Sequence, residues 1–215
     1  MRAIKTTTKE RQDQISQAAL AVVERHGLRG LHVARVAALV GVVPSALYRH
    51  YGSKADVLRT VLEAIADRLA ANVTRARSAG GDALDRLHCL MMSHLEMVRG
   101  ESGIPRVVFS DELLHGDPSL RVRLGQILRG YLVEVEVLLR EGQQEGCIRS
   151  GSSPESGAML FLGLIQPAVL LWTMSAGTID LTAHAEGVWE LFVRAVGNTN
   201  WTFDVSPSAT ALSSV

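Results

Sequence analysis

The sequence predicts an all-α fold. Three observations carry that prediction. Apolar residues recur at spacings of three and four instead of alternating, and glycine and proline cut the 215-residue chain into stretches of helical length. Several stretches also open on helix-starting signatures: Ser53 with Asp56, Asp117-Pro118 and Ser153-Pro154. Together these mark about nine helices.

The first helix is expected over 9–26, with Ile15, Ala18, Ala19, Val22 and Val23 as its inner stripe. Thr7 and Glu10 fit a capping box, and Gly27 stands where a left-handed C-terminal cap belongs. A short helix over 33–40, a break at Gly41 and a second short helix over 44–51 follow. Ser53 then opens a long fourth helix with Val57, Leu58, Val61, Leu62, Ile65 and Leu69 on one side. Gly80-Gly81 ends it, and later helices are expected over 82–99, 118–145, 154–176 and 182–196. The division implied is 1–52, a connecting helix within 53–80, a second helical domain over 81–198, and a loose Ser/Thr-rich tail over 199–215.

Formal net charge is zero, but the average conceals a split. Residues 1–77 hold 13 Lys/Arg against 6 Asp/Glu, and residues 78–215 hold 9 against 16. A basic N-terminal third predicts a polyanionic partner. Cys89 and Cys147 have no metal spacing, and the start shows no signal-peptide pattern, which together predict a reduced, cytoplasmic protein.

The stretch GVVPSALYRHYGSK at 41–54 carries the chemistry. Two short helices joined by a glycine turn and packed by a preceding helix form a helix-turn-helix, whose second helix enters the DNA major groove. Val36, Ala37, Val40, Val42, Ala46, Leu47 and Tyr51 supply the inner contacts. Ser45, Tyr48 and Arg49 fall at i, i+3 and i+4 and so share the outer face, with Lys54 beyond the helix end. Hydroxyl, guanidinium and ammonium donors suit phosphate oxygens and guanine edges.

Residues 15–69, and the run LYRHYGSKADVL above all, resemble the TetR family of bacterial transcriptional regulators. The resemblance implies an N-terminal helix-turn-helix domain that binds double-stranded DNA and a C-terminal domain that binds a small-molecule effector and forms a homodimer. It makes Pro44, Ser45 and Arg49 base-edge neighbours, and Tyr48, Lys54 and His50 phosphate contacts. The chain departs from the family where His32 and Val43 replace Ser/Thr caps. Val43 in place of serine costs about 1 kcal/mol, and Arg35 is the expected substitute contact on the first short helix.

In the C-terminal part, the resemblance places a pocket among helices near 82–99, 104–114, 118–145 and 154–176. Leu87, Met91, Leu95, Phe109, Leu113, Leu128, Tyr131, Phe161 and Gln166 are the expected wall residues. The wall is mostly apolar, with Gln166 and Tyr131 as polar fixing groups, so the expected effector class is lipophilic and largely uncharged. The last two helices are too apolar to be solvated, and Leu162, Ile165, Val169, Trp172, Trp189, Phe192 and Val193 are expected at a two-fold interface.

No cofactor or metal is expected: His88, Cys89 and His94 fall on different faces, and Asp111, Glu112 and His115 offer too few shared ligands. Two other readings are set aside. The uncharged run 157–176 is long enough for a membrane anchor, but Gln166 and Pro167 interrupt it and no Lys/Arg cluster flanks it. An all-helical enzyme lacks a phosphate-cradling glycine loop and a nucleophile elbow. The expected function is a DNA-binding regulator, a repressor that a lipophilic effector releases from a palindromic operator.

Overall fold

The structure, a computed structural model, describes residues 8–198. It is built from α1 (Thr8–His26), α2 (Val33–Val40), α3 (Pro44–Tyr48), α4 (Lys54–Ser78), α5 (Ala83–Gly100), α6 (Gly103–Val108), α7 (Pro118–Glu145), α8 (Pro154–Met174) and α9 (Leu181–Val196). A 3-10 turn, Leu28–Gly30, precedes α2, and a π-helical turn, Glu112–Gly116, precedes α7. Thr7 and the 199–215 tail lie outside the described residues.

Local chemistry starts these helices where the sequence places them. The Ser53 hydroxyl accepts from the Asp56 amide at 3.2 Å while the Asp56 carboxylate accepts from the Ser53 amide at 3.0 Å. Asp82 and Asp85 repeat the exchange at the head of α5. Asp117, Ser153 and Asp180 each cap a helix by accepting from a first-turn amide.

Three expectations are corrected. Gly27 has φ 64° but ψ 175°, so it leaves α1 in an extended, glycine-favouring conformation and not a left-handed helical one. Helix α3 ends at Tyr48, a turn early, because the His50 and Tyr51 amides both donate to the Leu47 carbonyl and tighten the last turn ahead of Gly52. The stretch 104–114 is not one helix. Ser110 breaks it: its hydroxyl donates to the Val107 carbonyl and accepts from the Leu113 amide, competing with the backbone ladder.

Helix α4 ties the two ends of the molecule together. Val57, Leu58, Val61 and Leu62 are fully buried toward its N-terminal half, where it packs on α1. Farther along, Ile65, Leu69, Val73 and Ala76 are buried where α4 meets α5 and α7. A second link joins α1 to α6: a Cβ on Gly103 would lie 2.6 Å from the Leu20 carbonyl oxygen, so only glycine permits that approach.

At the far end α8 lies between α7 and α9. Phe161 meets Phe192 edge-on at 5.7 Å, and Trp189 stacks on Phe192 at 5.4 Å. Among the described residues, α8 is the one helix long and apolar enough to cross a membrane. Pro167 sits within it without ending it, its ring on the exposed face.

Candidate DNA-binding face and ligand cavity

The turn between α2 and α3 is set by Gly41, left-handed at φ 76° and ψ 30°, with the Val42 amide donating to the Ala37 carbonyl at 3.0 Å. Val36, Ala37 and Leu47 are buried beneath it, and Tyr51 packs half-buried against them. Pro44, Ser45 and Tyr48 of α3 are exposed, Tyr48 at 49%, and Arg49 and His50 just past the helix end are exposed as well, bordering a groove shared with α1 and α4. Arg49 has no hydrogen bond or ion pair among the described residues, so its guanidinium is free to meet an anion.

Two other expected contacts are engaged within the chain. Arg35 is exposed, but its guanidinium donates to the Gly30 carbonyl at 2.7 Å, which fastens α2 to the preceding 3-10 turn. Lys54 is held by Glu112: Nζ lies 2.6 Å from Oε2. His32 and Val43 stand at helix starts with no side-chain cap. A solvent-open groove of about 790 Å³ between α1, α3 and α4 is lined by charged side chains such as Arg11, Asp56, Arg59 and Glu63 together with apolar ones such as Ile15, Val42 and Leu47.

The apolar opening lies deeper, among α4, α5, α6, α7 and α8. It is a cavity of about 40 Å³, the space of roughly one water molecule. Ile65 and Leu69 of α4, Ile104, Pro105 and Val108 of α6, and Leu124 and Ile127 of α7 form much of the wall. Of the residues expected there, Phe109, Leu128 and Gln166 line it. Leu87, Met91, Leu95, Leu113, Tyr131 and Phe161 are buried core residues outside the lining.

His94 is the wall residue that sequence reasoning placed only among unlikely metal ligands. Its Nδ1 lies 3.3 Å from the Tyr131 hydroxyl, with ring centroids 5.5 Å apart. Burial lowers the imidazole from 6.5 to about 4, so it is neutral at physiological pH, and burial likewise raises the Tyr131 phenol. A histidine on an otherwise apolar face of α5 was the available signal.

The interface expectation needs revision as well. Ile165, Val169, Trp189 and Phe192 are buried inside the subunit, and Leu162, Trp172 and Val193 are partly exposed. Val169 lines the cavity instead. The outward apolar row consists of Met159, Leu160, Leu170, Leu171 and Met174 on α8 and Leu191 on α9. Met174 is 75% and Leu171 54% exposed, an apolar patch of the kind that marks an interface.

Residues 15–61 match the family described as bacterial regulatory proteins, tetR family, and residues 61–195 match the YsiA-like protein, C-terminal region. This chain belongs to the TetR family. Among curated relatives, the fatty acid metabolism regulator protein of Bacillus subtilis is 26% identical over 185 residues, covering 86% of this chain and 95% of that protein. The nucleoid occlusion factor SlmA of Photobacterium profundum is 26% identical over 192 residues, covering 87% and 96%.

Among solved structures, the fatty acid degradation regulator FadR of Bacillus halodurans superposes with a TM-score of 0.75 at 25% identity, covering 88% of this chain and 97% of that one. FadR of Bacillus subtilis in complex with stearoyl-CoA gives 0.72 at 26%, covering 84% and 97%. In TetR-family terms, α2 and α3 are the helix-turn-helix, and a helical domain follows it toward the C-terminus.

Proposed function

We propose that this TetR-family regulator is a repressor that binds a palindromic operator as a homodimer and is released by a long-chain acyl thioester. It is a binding protein without catalytic activity. The observation that carries this reading is that one helix reaches both sites: α4 borders a groove with α3 through Asp56, Arg59 and Glu63 and presents Ile65 and Leu69 to the cavity. The relatives concerned with fatty acid metabolism, one of them solved with stearoyl-CoA, support the ligand class.

On the DNA, Pro44, Ser45 and Arg49 meet base edges, while Tyr48, His50 and Lys54 meet phosphates. The outward row of α8 and α9 joins two subunits and sets the two α3 helices about 34 to 36 Å apart, one turn of B-DNA. A space of about 40 Å³ cannot hold a fatty chain, so binding must part the wall. Displacement of Ile65 and Leu69 moves α4, and displacement of Val108 and Phe109 moves the π-helical turn that carries Glu112. Both movements reach Lys54.

The test is to select binding sites from a random duplex pool with the full chain and then titrate stearoyl-CoA into the complex. A two-fold-symmetric consensus and release at micromolar ligand are expected. Absence of any enriched sequence would overturn the DNA reading, and a complex indifferent to every long-chain acyl-CoA would overturn the ligand reading.

A further inference from the structure

We propose that the cavity recognises its ligand through one neutral oxygen, a carbonyl or a hydroxyl, held inside the apolar pocket by Gln166 and His94. The inference rests on the acyl-thioester reading above and refines it.

Two polar side chains stand in the wall, His94 from α5 and Gln166 from α8. His94 is only 6% exposed, and Tyr131 occupies one ring nitrogen, Nδ1. Among the described residues neither His94 Nε2 nor the Gln166 amide has a protein partner. Unpartnered buried polar atoms occur elsewhere among the described residues, at Arg86 Nε, His88 Nε2, Glu101 Oε2 and Trp189 Nε1; His94 and Gln166 differ in that both border one apolar cavity. Two hydrogen-bonding groups in the wall of one otherwise apolar cavity are placed to meet a polar atom of a ligand bound there.

The chemistry of the partner follows from what the wall lacks. Among the described residues no Lys, Arg, Asp or Glu lines the cavity, so an ionised carboxylate placed there would lose its hydration without a counter-charge. Burial keeps the imidazole uncharged, which removes the remaining source of positive charge. If the Tyr131 hydroxyl donates to Nδ1, Nε2 carries the hydrogen and donates to a carbonyl or hydroxyl oxygen. In the other tautomer Nε2 accepts from a hydroxyl. Gln166 offers both a donor and an acceptor, so either tautomer leaves a complementary pair for a neutral oxygen. That oxygen comes from the thioester carbonyl itself or from a substituent farther along the chain.

Three probes separate these sources: stearoyl-CoA, 12-hydroxystearoyl-CoA, and S-octadecyl-CoA, a thioether without the carbonyl. Binding to the full chain is followed by calorimetry for wild type, Gln166→Leu and His94→Phe. On wild type the thioether is expected to bind at least about tenfold more weakly than the better oxygen-bearing probe, and Gln166→Leu is expected to bring the two within about twofold. Tight stearoyl-CoA binding assigns the oxygen to the thioester, and tight binding of the hydroxylated probe alone assigns it to the chain.

A thioether that binds wild type as well as the best oxygen-bearing probe would overturn the inference while leaving the acyl-thioester reading intact. So would a tenfold preference that survives in both variants. Failure of all three probes to bind would remove the reading and the inference together. Gln166 is only partly buried, so Gln166→Leu keeps the fold, which thermal melting verifies, and the test stands even where His94→Phe does not fold.

Discussion

The Lys54 ammonium and the Glu112 carboxylate meet at 2.6 Å, joining the first residue of α4 to the first residue of the π-helical turn that follows α6. With side chains 25% and 39% exposed, the pair contributes little to stability, on the order of 1 kcal/mol or less. Its significance is competitive: Glu112 and a DNA phosphate draw on the same ammonium. Glu112→Gln is expected to tighten operator binding of the ligand-free protein by about two- to fivefold at low salt. Weaker binding by that variant would mean that Glu112 positions the lysine and does not withhold it.

Arg49→Ala and Lys54→Ala are expected to fail in different ways. Arg49 is exposed on α3 and unpaired among the described residues, so its loss should cost about 1 to 3 kcal/mol of operator affinity and relax the preference at the bases it reads. Loss of Lys54 should weaken all sequences alike and lower the salt slope of binding by roughly one. Filter binding between low and moderate salt, on cognate and scrambled duplexes, measures both.

Acid sensitivity should follow His94. Its folded value is about 4 against 6.5 unperturbed. The unfolded chain therefore binds a proton that the folded chain refuses, and stability falls as pH drops from 6.5 toward 4. The full effect is on the order of 3 kcal/mol. Urea midpoints measured across that window should decline for wild type, and the decline should be visibly shallower for His94→Gln. Equal slopes would show that the imidazole titrates normally.

Leu171→Glu tests the subunit contact. Leu171 is 54% exposed on α8, so the charge should leave the monomer fold intact while placing a carboxylate in the apolar row of both copies. Light scattering should show a dimer for wild type and a monomer for the variant, with operator affinity reduced at least about a hundredfold because one half-site is lost. A dimeric variant would place the interface elsewhere.

Gly103→Ala probes the α1–α6 link. The added methyl would stand 2.6 Å from the Leu20 carbonyl oxygen, a backbone atom that cannot step aside alone. A loss of about 1 to 3 kcal/mol is expected in chemical denaturation, together with a shifted ligand response, since α6 lines the cavity.

The helices and most of their starts were legible in the chain alone. Caps such as Ser53 with Asp56 act within one turn, and the inner stripe of α4 repeats every three or four residues, so no distant contact is needed to read them. The helix-turn-helix was legible for the same reason: Gly41, Ala37, Leu47 and the outward Tyr48 lie within about a dozen residues of one another.

What the tertiary structure alone decided is which side of an all-apolar helix faces in. α8 is hydrophobic almost all round, so periodicity does not separate Ile165 and Val169, which are buried, from Leu171 and Met174, which are exposed. The cavity is likewise a meeting of five helices, and His94 and Gln166 border one space only once α5 and α8 are packed. The pairing of Lys54 with Glu112 spans 58 residues. Local chemistry writes helices into a sequence, whereas contacts between helices depend on how their surfaces fit, and that is settled only when the chain closes on itself.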